Sequence, residues 1–444
     1  MSERPSVVVL GGGLAGVGTA FALARAGWRD ITIVERGPRL GGLAGSFERE
    51  GRYYPLGYHH ILRTDRTLRY FLTFIGAWPR VRWRRIRMLF QLRSGLYDLG
   101  SAGGFRRFPL PIGDKVRFAA LMVRAALKSD WTDWHDRSAA ELIDGWAGPR
   151  VREAIFEPLC RLKFELSCAE VSAAWLGARL HAREGSSPLG YIPDTNWTTV
   201  LCEGLSKALA DLGVRVRLSV GVTALETRGE CVTEAILADG GRLPGDVFVS
   251  TIPTEVYGGL LRDDTSGLQA IRYSALISAV CATRQKIVPD FYWMNLASLG
   301  HTACGVFLLH SLNPTIGAPG DACVNFVTHL HGRDRPLFER PTDELLGGYY
   351  DDFRAIFGFE LSPFWVHVSR VPMYSPVFDR RYRNPAIRSE TWRNVYFAGN
   401  YRTFPSVTST GTALASGLET GRAILGDHAG LADFRDAAAL ATPR

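Results

Sequence analysis

Paired cysteines are absent from this 444-residue sequence. Its seven cysteines are dispersed, and no two of them form the C-x-x-C spacing found in many zinc and redox sites. An odd, scattered set of cysteines in a chain of this size is typical of reduced thiols in a cytoplasmic protein. The sequence therefore predicts neither a disulfide framework nor a metal site.

Long apolar runs are also missing. No uncharged apolar stretch reaches the ~18 residues that a membrane-spanning helix needs. The first apolar run, Val7–Leu10, leads directly into glycines, so we predict no signal peptide. We expect a soluble protein, or one that is at most attached peripherally to a membrane.

Acidic residues are the minority among the charged ones. Lys and Arg total 52 against 44 for Asp and Glu, which gives a net charge of +8 and a pI near 9.2. This balance favours anionic partners such as phosphorylated metabolites and lipid headgroups. No helix-turn-helix or RNA-binding signature accompanies the charge, so we expect no nucleic-acid partner. Internal repeats and low-complexity segments are absent as well.

Glycine, in contrast, is abundant, and three glycines near the N-terminus are regularly spaced. Val7–Leu10 has the pattern of a buried strand, and Gly11-x-Gly13-x-x-Gly16 follows it and opens an Ala-rich helix. Gly11 permits a tight turn, Gly13 lets the backbone approach a pyrophosphate, and Gly16 lets helix and strand pack closely. The first helical N–H groups, starting at Leu14 and Ala15, then face that pyrophosphate.

An acidic residue stands at the expected distance from this turn. Glu35 ends the second predicted strand, nineteen residues after Gly16. A carboxylate there accepts hydrogen bonds from the ribose hydroxyls and disfavours the 2′-phosphate of NADP. Strand, glycine turn, helix and strand together predict a dinucleotide site.

The segment after Glu35 distinguishes FAD from NAD. It resembles the stretch that follows the ribose acid in the flavin amine oxidase, protoporphyrinogen oxidase and phytoene desaturase superfamily, and UDP-galactopyranose mutases carry a similar one. The resemblance implies that Arg36 offers a cation to the phosphates and that the chain passes beneath pyrophosphate and flavin at its Gly-rich part. That part comprises Gly41, Gly42, Leu43 and Ala44.

Two later segments extend the resemblance over nearly the whole chain in outline. Gly221-Val222 matches the place where the superfamily holds the adenine through backbone groups, which makes Val222 a candidate contact. Near the C-terminus, the strand before Gly399 and Asn400 and the helix that opens at Thr410, Gly411 and Thr412 are similar to the superfamily's closing flavin motif. The resemblance implies that this helix N-terminus points at the flavin N1–C2=O edge, where its dipole stabilises negative charge.

These motifs predict an α/β fold. We expect a Rossmann-type FAD-binding domain (GR2-like, after glutathione reductase) with an inserted α+β substrate domain that carries an antiparallel sheet. The FAD-binding domain is predicted from residues 1–60, 196–269 and 386–444. The substrate domain is predicted from residues 61–195 and 270–385.

Candidate catalytic residues come from two places. Tyr58 and His59 lie in a segment similar to the superfamily's D-x-G-x-H stretch near the flavin, although Pro55 stands where the acid usually is. His59 is the candidate to line the flavin or to act as an acid or base, because histidine titrates near neutrality. The alternative is a structural histidine bonded to the backbone.

The second group resembles a "YWxN … HTN" pattern in a bacterial protoporphyrinogen-oxidase-like branch. Trp293, Asn295 and His310 carry it, and the resemblance places them on the substrate-domain sheet above the flavin. Aromatic walls exclude water there, and Asn and His orient a polar substrate. The alternative is an ordinary aromatic core. Lys163-Phe164 and residues 172–175 are also similar to this branch, and we assign them to a helix without a chemical role.

Two further features bear on the substrate. Amine oxidases of this superfamily carry a lysine on the substrate-domain sheet, and the matching stretch, residues 279–283, has none. This argues against amine oxidation. The segment Arg80–Arg87 is rich in arginine around Trp83, and it is a phosphate site, a peripheral membrane contact or a solvated positive face.

The sequence thus predicts an FAD-dependent oxidoreductase that is not a typical amine oxidase. A small organic substrate, phosphorylated or linked to a lipid or sugar, gives a hydride to flavin N5, and O2 or another acceptor reoxidises the flavin. Two alternatives stay open: a non-oxidative enzyme similar to UDP-galactopyranose mutase, and a flavin-binding partner protein without catalysis of its own.

Overall fold

A computed structural model describes residues 4–182, 188–261, 268–297 and 300–428. The strands, in chain order, are β1 Val7–Leu10, β2 Ile31–Val34, β3 Ser46–Arg49, β4 Arg52–Pro55, β5 Arg82–Arg84, β6 Met88–Leu92, β7 Gly95–Asp98, β8 Leu189–Tyr191, β9 Arg215–Arg217, β10 Val222–Arg228, β11 Cys231–Leu237, β12 Arg242–Pro244, β13 Val247–Ser250, β14 Tyr273–Thr283, β15 Trp293–Leu296, β16 Gly305–Leu308, β17 Ala322–Leu330, β18 Trp365–Pro376 and β19 Val395–Phe397.

Helices connect and cover these strands. In chain order they are α1 Leu14–Arg25, α2 Arg66–Phe74, α3 Ala102–Arg107, α4 Ile112–Leu127, α5 Ala139–Trp146, α6 Pro149–Val151, α7 Glu157–Phe164, α8 Ala173–Ala182, α9 Trp197–Asp211, α10 Thr254–Gly258, α11 Leu309–Leu312, α12 Pro336–Glu339, α13 Thr342–Phe357 and α14 Thr410–His428. A π-helical turn, Arg152–Phe156, joins α6 to α7.

A five-stranded parallel sheet organises the first half of the fold. Its strand order is β19-β13-β1-β2-β9, so three separated parts of the chain meet in one sheet. The strands alternate in what they face: Val7 and Val9 pack against helices, whereas Val8 and Leu10 pack toward β10–β12. The sheet is therefore covered on both faces, which explains why its strands are continuously apolar.

A seven-stranded sheet organises the second half. Its order is β18-β14-β17-β16-β15-β6-β7, and every neighbouring pair is antiparallel except the parallel pair β15–β6. One face packs on α13, and the other face packs toward β4 and the aromatic residues near Tyr58. The helices α3 to α8 form a third core beside this sheet. The predicted antiparallel sheet and hairpin are thus present in a mixed α/β fold.

One predicted boundary differs from the structure. Residues 61–81 were assigned to the substrate domain, yet Leu68, Phe71 and Leu72 of α2 are buried in the same core as α1 and α14. Phe21 of α1 meets Phe71 edge to face, with ring centroids 5.1 Å apart. Helix α2 therefore buries its apolar side in the first core, and Val81 and Trp83 pack there too.

None of the seven cysteines forms a disulfide, and the described residues contain no His, Cys, Asp or Glu cluster that could hold a metal ion. Among the helices that the structure describes, none is both long and apolar enough to cross a bilayer.

Candidate active site

The turn between β1 and α1 leaves open space beside one glycine. Gly11 adopts a φ of +103°, and the Gly41 N–H donates to the Gly12 carbonyl oxygen over 2.8 Å. A Cβ at Gly16 would lie 2.2 Å from the Gly11 carbonyl oxygen, whereas a Cβ at Gly13 would meet no atom within 4 Å. Gly16 is thus required by packing, and Gly13 borders a cradle at the N-terminus of α1.

Glu35 is held rigidly beside this cradle. Its two carboxylate oxygens accept the N–H groups of Gly12 and Gly37, each over 2.7 Å. The carboxylate keeps further lone pairs for a ligand's hydroxyl groups. Arg36, the next residue, has an exposed side chain, and Leu14 and Ala15 bury theirs in the first turn of α1.

The Gly-rich continuation forms a short 3-10 turn, Gly42–Ala44, against the same cradle. Gly41 and Gly42 have φ values of +127° and +55°, which L side chains rarely adopt, and Gly41 bridges to Gly13. Ala44 is buried, whereas the Leu43 side chain is 37% exposed beside the open space. Val222 begins β10, but the preceding Gly221 carbonyl already accepts the Ala238 N–H over 2.8 Å.

The predicted closing motif surrounds the N-terminus of α14. The Gly399 N–H donates to Ser416 Oγ over 3.0 Å, and Asn400 Nδ2 donates to the Tyr374 carbonyl oxygen over 3.1 Å. Thr410 starts the helix, and Thr412 Oγ1 accepts the Ser409 N–H over 2.8 Å. These bonds fix the helix end against the last strand of each large sheet.

Gly411 packs directly on an acidic side chain that sequence reasoning missed. A Cβ at Gly411 would lie 2.1 Å from both carboxylate oxygens of Asp65. Asp65 caps α2 by accepting the Leu68 N–H over 2.9 Å, and burial raises the pKa of Asp65 to about 6. An ionisable carboxyl therefore sits beside the first turn of α14.

An aromatic wall lies between the cofactor segments and the seven-stranded sheet. Tyr58 stacks on Phe307 with ring centroids 4.2 Å apart, and Trp293 stacks on Phe307 at 5.2 Å. Trp293 and Asn295 share one face of β15, and Met294 packs in the core behind it. The structure thus brings Tyr58 and Trp293, which come from two separate sequence motifs, together on either side of Phe307.

The two candidate histidines differ from expectation. Burial lowers the pKa of His59 to about 4, so His59 does not titrate near neutrality, and its buried Nδ1 has no hydrogen-bond partner among the described residues. His310 Nδ1 accepts the Cys323 N–H over 3.1 Å, and burial lowers its pKa. That backbone contact gives His310 a structural role in holding α11 to β17.

The tryptophan of the segment Arg80–Arg87 is partly buried. Trp83 packs beside the first core, and the Arg63 guanidinium lies 4.8 Å from its ring centroid. Strand β5 pairs with β8, which anchors the segment to the fold. The phosphate, membrane and solvated-face interpretations of this segment therefore stay predictions.

A cationic group next to the aromatic wall was also missed. Lys163 of α7, Arg179 of α8 and His329 of β17 converge near Tyr58 and Tyr374. Lys163 Nζ lies 5.0 Å from the ring centroid of Tyr374, and the His329 ring lies 5.6 Å from the same ring. No sequence spacing connects Lys163, Arg179 and His329, which belong to three separate elements.

The fold and the glycine turn together define a class of protein, the flavin-dependent oxidoreductases with a mixed α/β fold. The model of the family "Flavin containing amine oxidoreductase" matches residues 14–425. The chain belongs to this family of flavin-containing proteins.

Individual relatives are more distant. A 15-cis-phytoene desaturase from Solanum lycopersicum is 26% identical over 304 residues, which cover 59% of this chain and 49% of the desaturase. The chain thus spans about half the length of the curated relatives it matches.

Solved structures are similar over nearly the whole chain. A protein provisionally assigned as a protoporphyrinogen oxidase, from Exiguobacterium sp. 255-15, has a TM-score of 0.77 at 17% identity and covers 96% of this chain and 100% of its own. A reduced UDP-galactopyranose mutase has a TM-score of 0.76 at 15% identity and covers 96% of both chains. At such identities the likeness concerns the fold.

Proposed function

We propose that the five-stranded parallel sheet is a Rossmann-type FAD-binding domain of the GR2-like kind and that the cradle beside Gly13 receives the pyrophosphate. The open space at Gly13, next to the free N–H groups of α1, fits a phosphate. Glu35 receives the ribose hydroxyls, and Gly42, Leu43, Tyr58 and the remaining predicted contacts line the rest of the cofactor.

The flavin then lies between the N-terminus of α14 and the aromatic wall of Tyr58, Phe307 and Trp293. The observation that carries this placement is the stacking of Tyr58 on Phe307, because it joins a cofactor segment to the substrate sheet. When bound, FAD supplies hydride acceptance from an organic substrate and passes the electrons to O2 or another acceptor.

The protein's own residues position the substrate and exclude water. Tyr58 and Trp293 form an apolar wall, and Asn295, on the same face as Trp293, offers an amide to a polar group of the substrate. Burial lowers the pKa of His59 to about 4, so at physiological pH it lines the site as a neutral imidazole. The sheet stretch Ala279–Thr283 is fully buried and carries no lysine, which supports a reaction other than amine oxidation.

Anaerobic mixing of the FAD-loaded protein with candidate substrates tests the proposal. We expect loss of the visible absorbance band of oxidised flavin with a substrate that is subsequently turned over in air. Turnover that occurs only after dithionite reduction, without net electron transfer, supports the mutase-like alternative instead. A bound flavin that reacts with neither sulfite nor any substrate supports the non-catalytic alternative.

A further inference from the structure

Cations without a counter-charge gather beside the aromatic wall. Among the described residues, no carboxylate forms an ion pair with Lys163 or Arg179, whereas most other arginines near an acid are paired. The charged groups that influence Lys163 most are Arg179, which lowers its pKa, and the Cys304 thiol. Buried or partly buried cations are normally paired. The described residues therefore supply no anion for these cations.

A small cavity lies beside Lys163, and Trp175, Tyr374 and Thr408 are among its other lining residues. The space in it that water can enter is about 20 Å³, far less than the ~300–1,000 Å³ of pockets that enclose a whole ligand. The cavity suits the charged end of a molecule whose remainder lies elsewhere, along the aromatic wall.

A buried imidazole completes the arrangement. His329 is 6% exposed, and its Nδ1 has no hydrogen-bond partner among the described residues. Burial, followed by the charges of Lys163 and Arg179, holds the pKa of His329 well below its usual value. Neutral imidazole can still donate one N–H to an anion.

The cavity adjoins the proposed flavin position. Ser375 Oγ lies 3.3 Å from Thr408 Oγ1, just before α14, and the Tyr374 carbonyl accepts the Asn400 side chain. The hydroxyl groups of Tyr374 and of Tyr58, on the aromatic wall, are close enough for each to influence the pKa of the other. An anion in the cavity would thus hold a substrate with its apolar part against Tyr58.

We propose that Lys163, Arg179 and His329 form the binding site for an anionic group, a carboxylate or a phosphate, of the substrate. This inference rests on the proposed function, because it names the substrate class of that site. Arg179 provides a planar fork for two oxygens, and Lys163 provides a mobile point charge.

Anion titrations of the FAD-loaded protein test this site without turnover. The probes are octanoate and benzoate for a carboxylate, inorganic phosphate and pyrophosphate for a phosphate, and octanamide as the uncharged counterpart. Flavin absorbance changes and calorimetry report binding. We expect one anion class to bind and octanamide to bind on the order of tenfold more weakly or worse, the loss expected for one charge-assisted hydrogen bond.

Variants then assign the binding to these residues. Lys163→Met and Arg179→Met should each weaken the preferred anion on the order of tenfold or more, whereas Lys207→Met should not. Lys207 is the matched control, because its side chain is 76% exposed on α9 and pairs with Asp211. Retained FAD content and melting temperature show that each variant is folded. Unchanged anion binding in both Lys163→Met and Arg179→Met overturns the proposal.

The pH dependence of anion affinity tests the role of Lys163 directly, because a lysine with only a structural role would not change it. Burial, and then Arg179, lowers the pKa of Lys163 to about 7, so wild-type affinity should fall as pH rises above 7. The other groups facing this amine are His329, which stays neutral, and the tyrosines Tyr58 and Tyr374, whose pKa values burial raises. Lys163→Arg should restore affinity and flatten this profile. A flat wild-type profile contradicts the assigned role of Lys163.

Failure of this inference is distinguishable from failure of the proposed function. A neutral substrate that reduces the flavin equally in wild type and Lys163→Met overturns the anion site and leaves the redox function intact. Anions that bind through Lys163 while no substrate reduces the flavin leave the site intact and overturn the redox function.

A separate observation concerns the outer surface of α4. Four large apolar side chains there are exposed: Ile112 by 81%, Val116 by 63%, Val123 by 59% and Leu127 by 82%. Their spacing places them on one face of the helix, which we call the apolar stripe. The opposite face is anchored in the helical core through Leu121 and Ala125.

Positive charge flanks the apolar stripe. Lys115 lies to one side of it and Arg117 and Arg124 to the other, whereas the helix's one acid, Asp114, is buried and pairs with Arg117 over 3.0 Å. The solvent side of α4 thus presents only apolar and cationic groups. We infer that the apolar stripe docks on the surface of a bilayer that contains anionic lipid, with the helix lying in the membrane plane.

Vesicle sedimentation of the full chain tests this docking. Binding should be strong to vesicles with phosphatidylglycerol, weaker to pure phosphatidylcholine, and reduced severalfold by Val123→Asp with Leu127→Asp. Val288→Asp is the control, since Val288 is 58% exposed on another segment. Equal binding by the double variant overturns the inference. The inference is also overturned if the wild-type protein forms a dimer and does not bind vesicles. If the double variant does not form that dimer, the apolar stripe is the contact with a second copy of the chain.

Discussion

Two glycines of the same turn should fail in different ways when each becomes alanine. Gly13 has φ −66° and ψ 170°, which alanine adopts freely, and its Cβ would enter open space. Gly13→Ala should therefore leave the apoprotein as stable as wild type or more stable by about 0.4–1 kcal/mol, because alanine reduces the entropy of the unfolded chain. Its methyl group would occupy the pyrophosphate's place, so FAD affinity should fall by about tenfold or more.

Gly16→Ala should instead damage the fold itself. The new Cβ would lie 2.2 Å from the Gly11 carbonyl oxygen, 3.0 Å from Thr251 Oγ1 and 3.2 Å from Val9 Cγ1. Helix α1 must then move away from β1, and overpacking of this kind costs about 1–3 kcal/mol or more. Loss of FAD in this variant follows from loss of structure.

The assay pairs urea unfolding of each apoprotein with FAD titration followed by quenching of flavin fluorescence. The reasoning predicts that stability and affinity separate for Gly13→Ala and fall together for Gly16→Ala. If Gly13→Ala binds FAD like wild type, the open space beside Gly13 does not receive the pyrophosphate. If it destabilises the apoprotein as much as Gly16→Ala does, the space is not open.

Three further outcomes follow from the structure. Since burial raises the folded-state pKa of Asp65 from 3.8 to about 6 while the unfolded pKa stays at 3.8, the stability that this carboxyl contributes is full below pH 3.8 and is lost as pH rises to 6. Asp65→Asn keeps an acceptor for the Leu68 N–H. At pH 7 its free energy of unfolding should exceed that of wild type by at most about 3 kcal/mol, and near pH 4 the two should be equal. An equal difference at both pH values contradicts this account. Gly417→Ala would place a Cβ 2.1 Å from the Ala15 carbonyl oxygen and should cost about 1–3 kcal/mol in thermal unfolding, whereas Gly426→Ala, with no atom within 4 Å, should be neutral or stabilising by up to about 1 kcal/mol. His310→Ala should lower the free energy of unfolding by about 1–3 kcal/mol, because the Cys323 N–H loses its acceptor, whereas His310→Asn should retain most of the stability. Neither variant should change the rate of flavin reduction per folded molecule. A stable His310→Asn protein that reduces its flavin slowly would restore the catalytic interpretation.

Local patterns explain why most elements were predictable. The stretch 275–281 was predicted as a strand from its apolar residues and lies in β14, and residues 411–425 were predicted as a helix and lie in α14. The packing of residues 61–81 with α1 and α14 could not be predicted, because their apolar spacing reports that α2 is buried but not against which helix. The parallel pairing of β6 with β15 joins residues that are about two hundred positions apart, and no local signal encodes such pairing.

The catalytic candidates show the same division. Trp293 and Tyr58 were recognised through a family pattern, and the structure brings their rings to within 5.8 Å. His310 was selected by the same pattern, yet its bond to the Cys323 backbone became visible only when α11 met β17. The acid-base role of His59 depended on an ordinary histidine pKa, which burial changes.

The sequence by itself determined the cofactor turn, because strand, glycines, helix and Glu35 lie within about thirty consecutive residues and each constrains the next through local backbone geometry. Only the tertiary structure brought Lys163, Arg179 and His329 together beside Tyr374. These three residues come from α7, α8 and β17, and Tyr374 comes from β18. The anion site is inferred from them because no described carboxylate is paired with Lys163 or Arg179. Burial and missing counter-charge are properties of a packed environment, which no residue spacing records.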